Sequence, residues 1–585
     1  MPADIATHSP VSAAPVRRNG RGWREWTPTL TLGAILAYLV VAPLAALIIS
    51  SLRPTGFPLD DGWTLGNYVK AYGNVEFLSL LSNTVVFAVG ATVVAVSTAL
   101  LLAWVLERTD VPGRAAFRVM VLIPIAIPPL LLALGWALLG NPRNGLINQI
   151  LRPFLDGPLL NPYTMTGMIL LQGLSLVPTA FLIVAPTLRN LDPSMEEAAR
   201  TCGAGFLKTV TRTVLPMIAP ALATAGIIIL IACFVLFDIP GALGMPSRIY
   251  VLSTRVFYLM NNSPTGAPLY GEVSALAMLF LAMLLAMGWA YRRMTAQSRR
   301  FVTVTGKAFR PRMYSLGRWK WAVTALLGLY VLVALLLPLG VLAWMSFLPY
   351  PTAPTLDSFS LLTVENHAGL FESDIFVGSV ANSLIVAVVA ATLVTILGGL
   401  VSWMVVRSRL PGRVFIDNLA FIPLAIPGVM IGVALIYVYL ALGSAVPIYG
   451  TIWIIVAGYL TQYLPYGARL AGNVMLQLHN ELEEAGRTSG GSPAKVMLRI
   501  TLPIVLPALL GVWVWVASHS LRELSTALML QGNDNSVVTT LLWDAWAGGD
   551  VTRSAAIGIW LIVGTSSLLL LWQVVSRLTA RTSKT

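Results

Sequence analysis

Glu196-Glu197-Ala198-Ala199-Arg200-Thr201-Cys202-Gly203, nine residues, then Thr213-Val214-Leu215-Pro216: this stretch returns as Glu483-Glu484-Ala485-Gly486-Arg487-Thr488-Ser489-Gly490, nine residues, then Ile500-Thr501-Leu502-Pro503. Glu197 and Glu484, Gly203 and Gly490, and Pro216 and Pro503 share one offset of 287. Upstream the repeat continues at an offset of 299. Pro112-Gly113-Arg114 matches Pro411-Gly412-Arg413, Ile123-Pro124-Ile125-Ala126-Ile127-Pro128 matches Ile422-Pro423-Leu424-Ala425-Ile426-Pro427, and Asn83 matches Asn382. The offset shortens because the loop from Asn141 to Pro162 is longer in the first half. The chain is therefore two copies of one unit, and self-similarity of this kind decides the architecture before finer signals are weighed.

Composition places both copies in a membrane. The 585 residues are 57% hydrophobic and 11% charged, with a mean hydropathy of +0.78. Soluble domains carry about 25% charged residues, which excludes a soluble enzyme. Two cysteines, Cys202 and Cys233, are too few for a disulfide scaffold and lack metal-site spacing. A helix needs about 20 apolar residues to cross the hydrocarbon core. Such stretches lie near 30–52, 82–106, 116–140, 165–188, 216–237 and 273–291, and again near 321–347, 380–406, 414–441, 451–471, 503–530 and 555–576.

The loops predict the orientation. Arg17, Arg18, Arg21 and Arg24 precede the first span, and residues 291–320 hold nine basic side chains and no acid. Residues 348–378 hold Asp357, Glu365, Glu372 and Asp374 and no Lys or Arg. Twelve spans with both termini in the cytoplasm satisfy the excess of basic residues on that side of a bacterial inner membrane. The net charge of +13 is then topological, and no nucleic-acid partner is expected. The expected fold is an all-α polytopic membrane protein of about 12 transmembrane helices, built as two parallel six-helix repeats about an axis normal to the membrane. The expected division is a disordered cytoplasmic tail at 1–27, repeats at 28–291 and 321–577, a basic cytoplasmic linker at 292–320, and a cytoplasmic tail at 578–585.

The duplicated stretch reads as a helix–turn–helix in the loop after each fourth span. Asp192-Pro193 supplies a cap and a first-turn proline, and Asn480 can cap the second copy. The glutamates fall in the first turns, which the helix dipole favours. Gly203 and Gly490 end each helix where a left-handed residue is wanted. A second short helix follows, and Pro216 and Pro503 open the next span. An Ala-rich face is left able to lie in a partner's groove. Gene duplication explains the match between halves, but not why a loop outside the spans keeps its spacing throughout.

Glu-Ala-Ala, three residues, Gly, nine residues, Ile-x-Leu-Pro resembles the signature loop of binding-protein-dependent ABC importer permeases of type I. Gly486 and Thr213 depart from the pattern, and Gly486 weakens its helix by about 1 kcal/mol relative to Ala. The resemblance implies that Glu196, Glu197, Ala198, Ala199, Gly203, Leu215 and Pro216, with Glu483, Glu484, Ala485, Gly486, Gly490, Leu502 and Pro503, form two coupling loops for two copies of a cytoplasmic ATPase. ATP and Mg would then be bound by that ATPase and not by this chain. It also implies a periplasmic or lipid-anchored substrate-binding protein. The fused layout and Arg522-Glu523-Leu524-Ser525 are similar to ferric-iron importer permeases, which usually carry Arg-Glu-Leu-Pro there. Related permeases serve thiamine, phosphonates or polyamines.

Other chemistry is missing from the sequence. No P-loop occurs, since Leu207 stands where Lys208-Thr209 would need a glycine. His8, His367, His479 and His519 show no zinc spacing, and no catalytic constellation can be assembled. Ionisable residues within spans are costly. Asp238, Arg522 and Glu523 are therefore candidates for lining the substrate pathway, against the reading that they mark where a span ends. Arg522 and Glu523 cannot face each other on one helix, so each needs another partner. A proton-coupled secondary transporter with six plus six spans is the rival class, but its carboxylate network has no counterpart in these spans.

Overall fold

The computed structural model describes residues 23–262, 268–298, 313–408 and 410–582. Residues 1–22 of the expected tail, and Arg299, Arg300, Lys307, Arg310 and Arg312 of the linker, lie outside the described residues. Among the described residues no strand forms, and one isolated bridge joins Thr109 to Tyr314. The first half is carried by α1 (Trp26–Ser51), α2 (Val75–Arg108), α3 (Arg114–Leu122), α4 (Pro129–Gly140), α5 (Met165–Arg189), α6 (Ser194–Thr201), α7 (Phe206–Val235), α8 (Leu252–Asn261) and α9 (Tyr270–Ser298). The second half repeats this order as α10 (Gly317–Ser346), α11 (Asp374–Val406), α12 (Arg413–Phe421), α13 (Gly428–Leu442), α14 (Ile452–Leu476) and α15 (Asn480–Thr488). It continues as α16 (Met497–Ser520), α17 (Ser525–Leu530), α18 (Val538–Ala547) and α19 (Val551–Thr582).

Among the described residues ten helices are long and apolar enough to cross a membrane, or eleven when one bent pair counts as a single span, beside the twelve or so expected. The stretch 116–140 is two helices meeting at 99°. Its cause is legible: Ile127, before Pro128, and Ile426, before Pro427, are both extended, because a following proline disfavours the helical region. The stretch 451–471 is the helix α14, but Gln462, Pro465 and Arg469 dilute its apolarity. Much of α14 is buried inside the bundle, Tyr459, Tyr463 and Leu464 included, so lipid does not dictate its composition. The stretch 503–530 ends as a helix at Ser520 and resumes at Ser525, leaving Arg522 and Glu523 in the gap. Helical structure begins at Trp23, three residues ahead of the apolar span α1, and α19 runs to Thr582, so both expected tails are partly helical.

Among the described residues five five-residue π-helical turns each end two residues before a proline. They are Ala37–Val41 before Pro43, Val210–Val214 before Pro216, Pro240–Gly244 before Pro246, Leu332–Leu336 before Pro338 and Met497–Thr501 before Pro503. A proline lacks the N–H and crowds the preceding turn, and the widened turn absorbs both effects. Pro216 and Pro503 consequently lie inside continuous helices. The expected second short helix of each loop is the first turn of the fifth span.

The halves exchange their first helices. Thr29 on α1 donates to the Pro411 carbonyl at 2.8 Å, the Tyr38 hydroxyl donates to that of Tyr439 at 3.1 Å, and Thr461 donates to the Leu39 carbonyl at 3.2 Å. Reciprocally, α10 lies on α4 of the first half. A Cβ at Gly135 would stand 2.5 Å from the Pro338 carbonyl oxygen, so only glycine permits this approach. Within the first half, Ala88, Ala91, Ala95, Ala99 and Ala103 form a buried small-residue stripe along α2, which lets neighbouring helices approach closely.

Candidate functional site

Each repeated loop builds a short helix with the same local devices. Asp192 accepts from the Ser194 N–H at 2.9 Å, and the Pro193 carbonyl receives the Glu196 and Glu197 N–H groups. In the second copy Asn480 is the first helical residue rather than the residue before it, and His479 takes the cap position. Gly203 and Gly490 have φ of +82° and +80°. They close matching caps: Ala204 N–H reaches the Ala199 carbonyl and Gly491 N–H the Gly486 carbonyl, each at 3.0 Å.

The paired glutamates divide their roles. Glu197 and Glu484 are exposed, as are Ala198, Ala485, Gly203 and Gly490. Glu196 turns inward and forms an ion pair with Arg108 at the end of α2, both side chains being 0% exposed. Glu483 is 8% exposed and lies 3.8 Å from Arg407 Nε at the end of α11. Arg407 also donates to the carbonyls of Met475 and Leu478. Each short helix is thus bolted to the second helix of its own half. Arg108 and Arg407 obey the 299 offset, a sequence signal that the spacing argument passed over. Leu215 and Leu502 are half-buried, Ala199 and Gly486 likewise, and Pro216 and Pro503 are exposed. Around each loop sit exposed apolar side chains, Met195, Phe206 and Leu207 in one copy and Leu482 and Leu498 in the other.

Gly486 has a packing reason. A Cβ there would stand 2.6 Å from Ile500 Cδ1 and 3.0 Å from Val496 Cγ2. The matching residues in the first copy are Ala199 over the smaller Thr213 and Thr209. The two departures from the motif are complementary in volume.

At the opposite end of α2 and α11 the repeat markers find their partners. Asn83 donates to the Tyr250 carbonyl at 3.4 Å and Asn382 to the Ser536 carbonyl at 3.0 Å. Beside them Thr84 accepts from Leu252 N–H at 3.0 Å, and Ser383 from Val538 N–H at 2.8 Å. The starts of α8 and α18 are therefore hung from the same two long helices that carry the loop glutamates at their other ends.

Between the halves the structure gathers Asp238, Arg522 and Glu523. Arg522 and Glu523 occupy the break between α16 and α17, and Asp238 opens the helical turn that follows the break at Leu236 and Phe237 after α7. Arg522 donates across the interface to the carbonyl of Ile125, freed at the α3–α4 bend, and contacts His519 Nε2 at 2.6 Å. Glu523 is buried and accepts from the N–H groups of Thr526 at 3.0 Å and Ala527 at 3.3 Å. Arg522 and Glu523 thus each have a separate partner, as their spacing requires. Asp238 is buried and close enough to both to interact electrostatically. Gln462 accepts from Thr526 at 2.5 Å, and Tyr459 and Thr539 donate to the Glu523 carbonyl. His519, Gln462 and the Ile125 carbonyl were not legible as members of this cluster. Among the described residues no three His, Cys, Asp or Glu side chains converge as a metal site.

A duplicated, parallel bundle with matching loop helices at one end and a polar seam between the halves defines a two-half membrane permease. The sequence profile of the binding-protein-dependent transport system inner membrane component matches residues 95–300 and 395–581, and the chain belongs to that family. It is a multi-pass membrane protein, and membership of this permease family, rather than of a proton-coupled class, removes the secondary-transporter rival. It is 28% identical to the ferric transport system permease protein FbpB of Actinobacillus pleuropneumoniae, over 92% of this chain and 77% of that one. It is 30% identical to the putative ferric transport system permease protein FbpB 1 of Haemophilus influenzae, over 76% of this chain and 69% of the relative. A second protein of that organism, Fe(3+)-transport system permease protein FbpB 2, is 26% identical over 80% and 83%.

Proposed function

We propose that this permease carries ferric iron inward, receiving it from an extracytoplasmic binding protein and taking its energy from two copies of an ATPase seated on the duplicated loops. The observation that carries the energetic half is the pair of loop helices, each buried on one glutamate and exposed on the other. The cargo named for the ferric transport relatives supports iron. In this reading the loops, both termini and the basic linker face the cytoplasm, and ATP and Mg belong to the ATPase.

Transmission runs along α2 and α11. A load on a loop helix reaches the long helix through Glu196–Arg108 or Glu483–Arg407. Some 24 residues further along the axis, about 36 Å at 1.5 Å per residue, the same helices hold α8 and α18 through Thr84 and Ser383. Rocking one half against the other then works on the seam, where Arg522 bridges to the first half's bend. Nucleotide shifts this equilibrium only if the ATPase prefers one arrangement of the two loops. Asp238, Arg522 and Glu523 line the pathway in this scheme.

Purification in mild detergent followed by mass spectrometry tests the assembly, with an ATPase at two copies per chain expected. Cells carrying the whole system should accumulate radiolabelled ferric citrate, and lose that uptake on ATP depletion but not on collapse of the proton gradient. Purification of the chain alone, or uptake that follows the proton gradient, would refute the scheme.

A further inference from the structure

The two loop helices are not secured alike. In the second copy the buried Glu483 takes a hydrogen bond from Thr501, at 3.1 Å, within its own repeat. The matching position in the first copy is Val214, fully buried and without a hydroxyl. Glu196 instead accepts from the hydroxyl of Tyr314, at 2.6 Å, and Tyr314 belongs to the linker. A buried carboxylate paired with one arginine needs its remaining lone pairs filled, so this bond carries weight.

The linker is held for that purpose. Tyr314 N–H donates to the Arg108 carbonyl at 2.7 Å, and Asp110 N–H to the Tyr314 carbonyl at 3.3 Å. Asp110 then accepts from Leu316 N–H at 2.8 Å and from the Ser315 hydroxyl at 2.9 Å, and these donors hold its carboxyl below the usual carboxylate range. The Tyr314 ring stacks against Trp104 with centroids 5.9 Å apart and meets Phe206 edge-on at 5.3 Å. Three contacts of different kinds thus converge on one residue of the segment that joins the halves.

We infer that Tyr314 is a positioning residue for the first coupling helix, through which the linker supplies in trans the hydroxyl that Thr501 supplies within the second repeat. The inference rests on the coupling reading of the loops, and it makes the linker a working part of the transport cycle. Removing the Tyr314 hydroxyl should loosen the first loop and leave the second untouched. Restoring a hydroxyl at position 214 should replace it.

Cys202 is exposed beside Gly203 at the end of the first coupling helix, and Cys233 is buried, so the native chain carries one accessible thiol reporter among its described residues. Maleimide labelling of Cys202 is to be followed in the chain alone and in the complex with its ATPase, together with the complex's rate of Mg-ATP hydrolysis. Protection of Cys202 by the ATPase in the unmodified chain tests the coupling reading by itself; equal labelling with and without the ATPase would overturn that reading. Against that baseline, Tyr314→Phe should raise labelling in the complex by about tenfold, the effect of one lost hydrogen bond to a charged group, and alter hydrolysis. Tyr314→Phe with Val214→Thr should return both towards the unmodified values, and Thr501→Val should leave Cys202 labelling unchanged. Unmodified behaviour in Tyr314→Phe would overturn the inference, as would a loss that Val214→Thr fails to reverse.

Discussion

Arg108 and Glu196 are an ion pair with neither side chain reaching solvent. Breaking such a pair by neutralising one member leaves a buried charge uncompensated, at a cost of about 3–5 kcal/mol. Arg407 is differently placed, because two backbone carbonyls also receive its guanidinium. Glu196→Gln should therefore lower the thermal unfolding midpoint of the detergent-purified chain more than Glu483→Gln does. Equal shifts would show that the two bolts are equivalent, and the reverse order that Arg407 depends on its glutamate more than Arg108 does. The pairing itself was hidden from sequence reasoning. Both glutamates of each doublet satisfy the helix dipole equally, and only packing decides that the first faces inward.

The short helices show how far local chemistry reaches. Their ends were legible, since the left-handed glycines and the Asp-Pro start act within a few residues. The bends after α3 and α12 were equally written in the two Ile-Pro motifs. A hydropathy window reads those prolines as apolar filler, so their backbone meaning is lost. The volume match of Gly486 with Ile500 was out of reach, because it depends on which turn faces the helix. It predicts a coupled pair. Gly486→Ala gains helix propensity of about 1 kcal/mol but crowds Ile500 and Val496. In a double-mutant cycle with Ile500→Thr, unfolding midpoints should reveal a favourable coupling of about 0.5 kcal/mol or more. Strict additivity would show that the terminal methyl of Ile500 swings aside freely and that the glycine is incidental.

At the scale of the molecule, each half lends its first helix to the other, and Arg522 reaches from the second half to the bend of the first. The duplication and the parallel arrangement could be taken from the offsets alone. The exchange could not, because two copies of one unit pack equally well on paper with α1 on its own half. If the exchange holds the assembly, residues 1–305 and 306–585 expressed as two separate chains should co-purify in equal amounts in mild detergent. Separation of the pieces would make the covalent link the main tie between the halves.

The same exchange sets a problem of timing during synthesis. Thr29 and its acceptor on Pro411 are 382 positions apart. At roughly 5–20 residues per second, a ribosome needs about 20–80 s to cover that distance. Throughout that interval the part of the docking site of α1 that the second half supplies is unmade. The apolar length of α1 suits it to wait in lipid, and the late arrival of α12 and α13 turns the completion of the second half into the event that fixes the first.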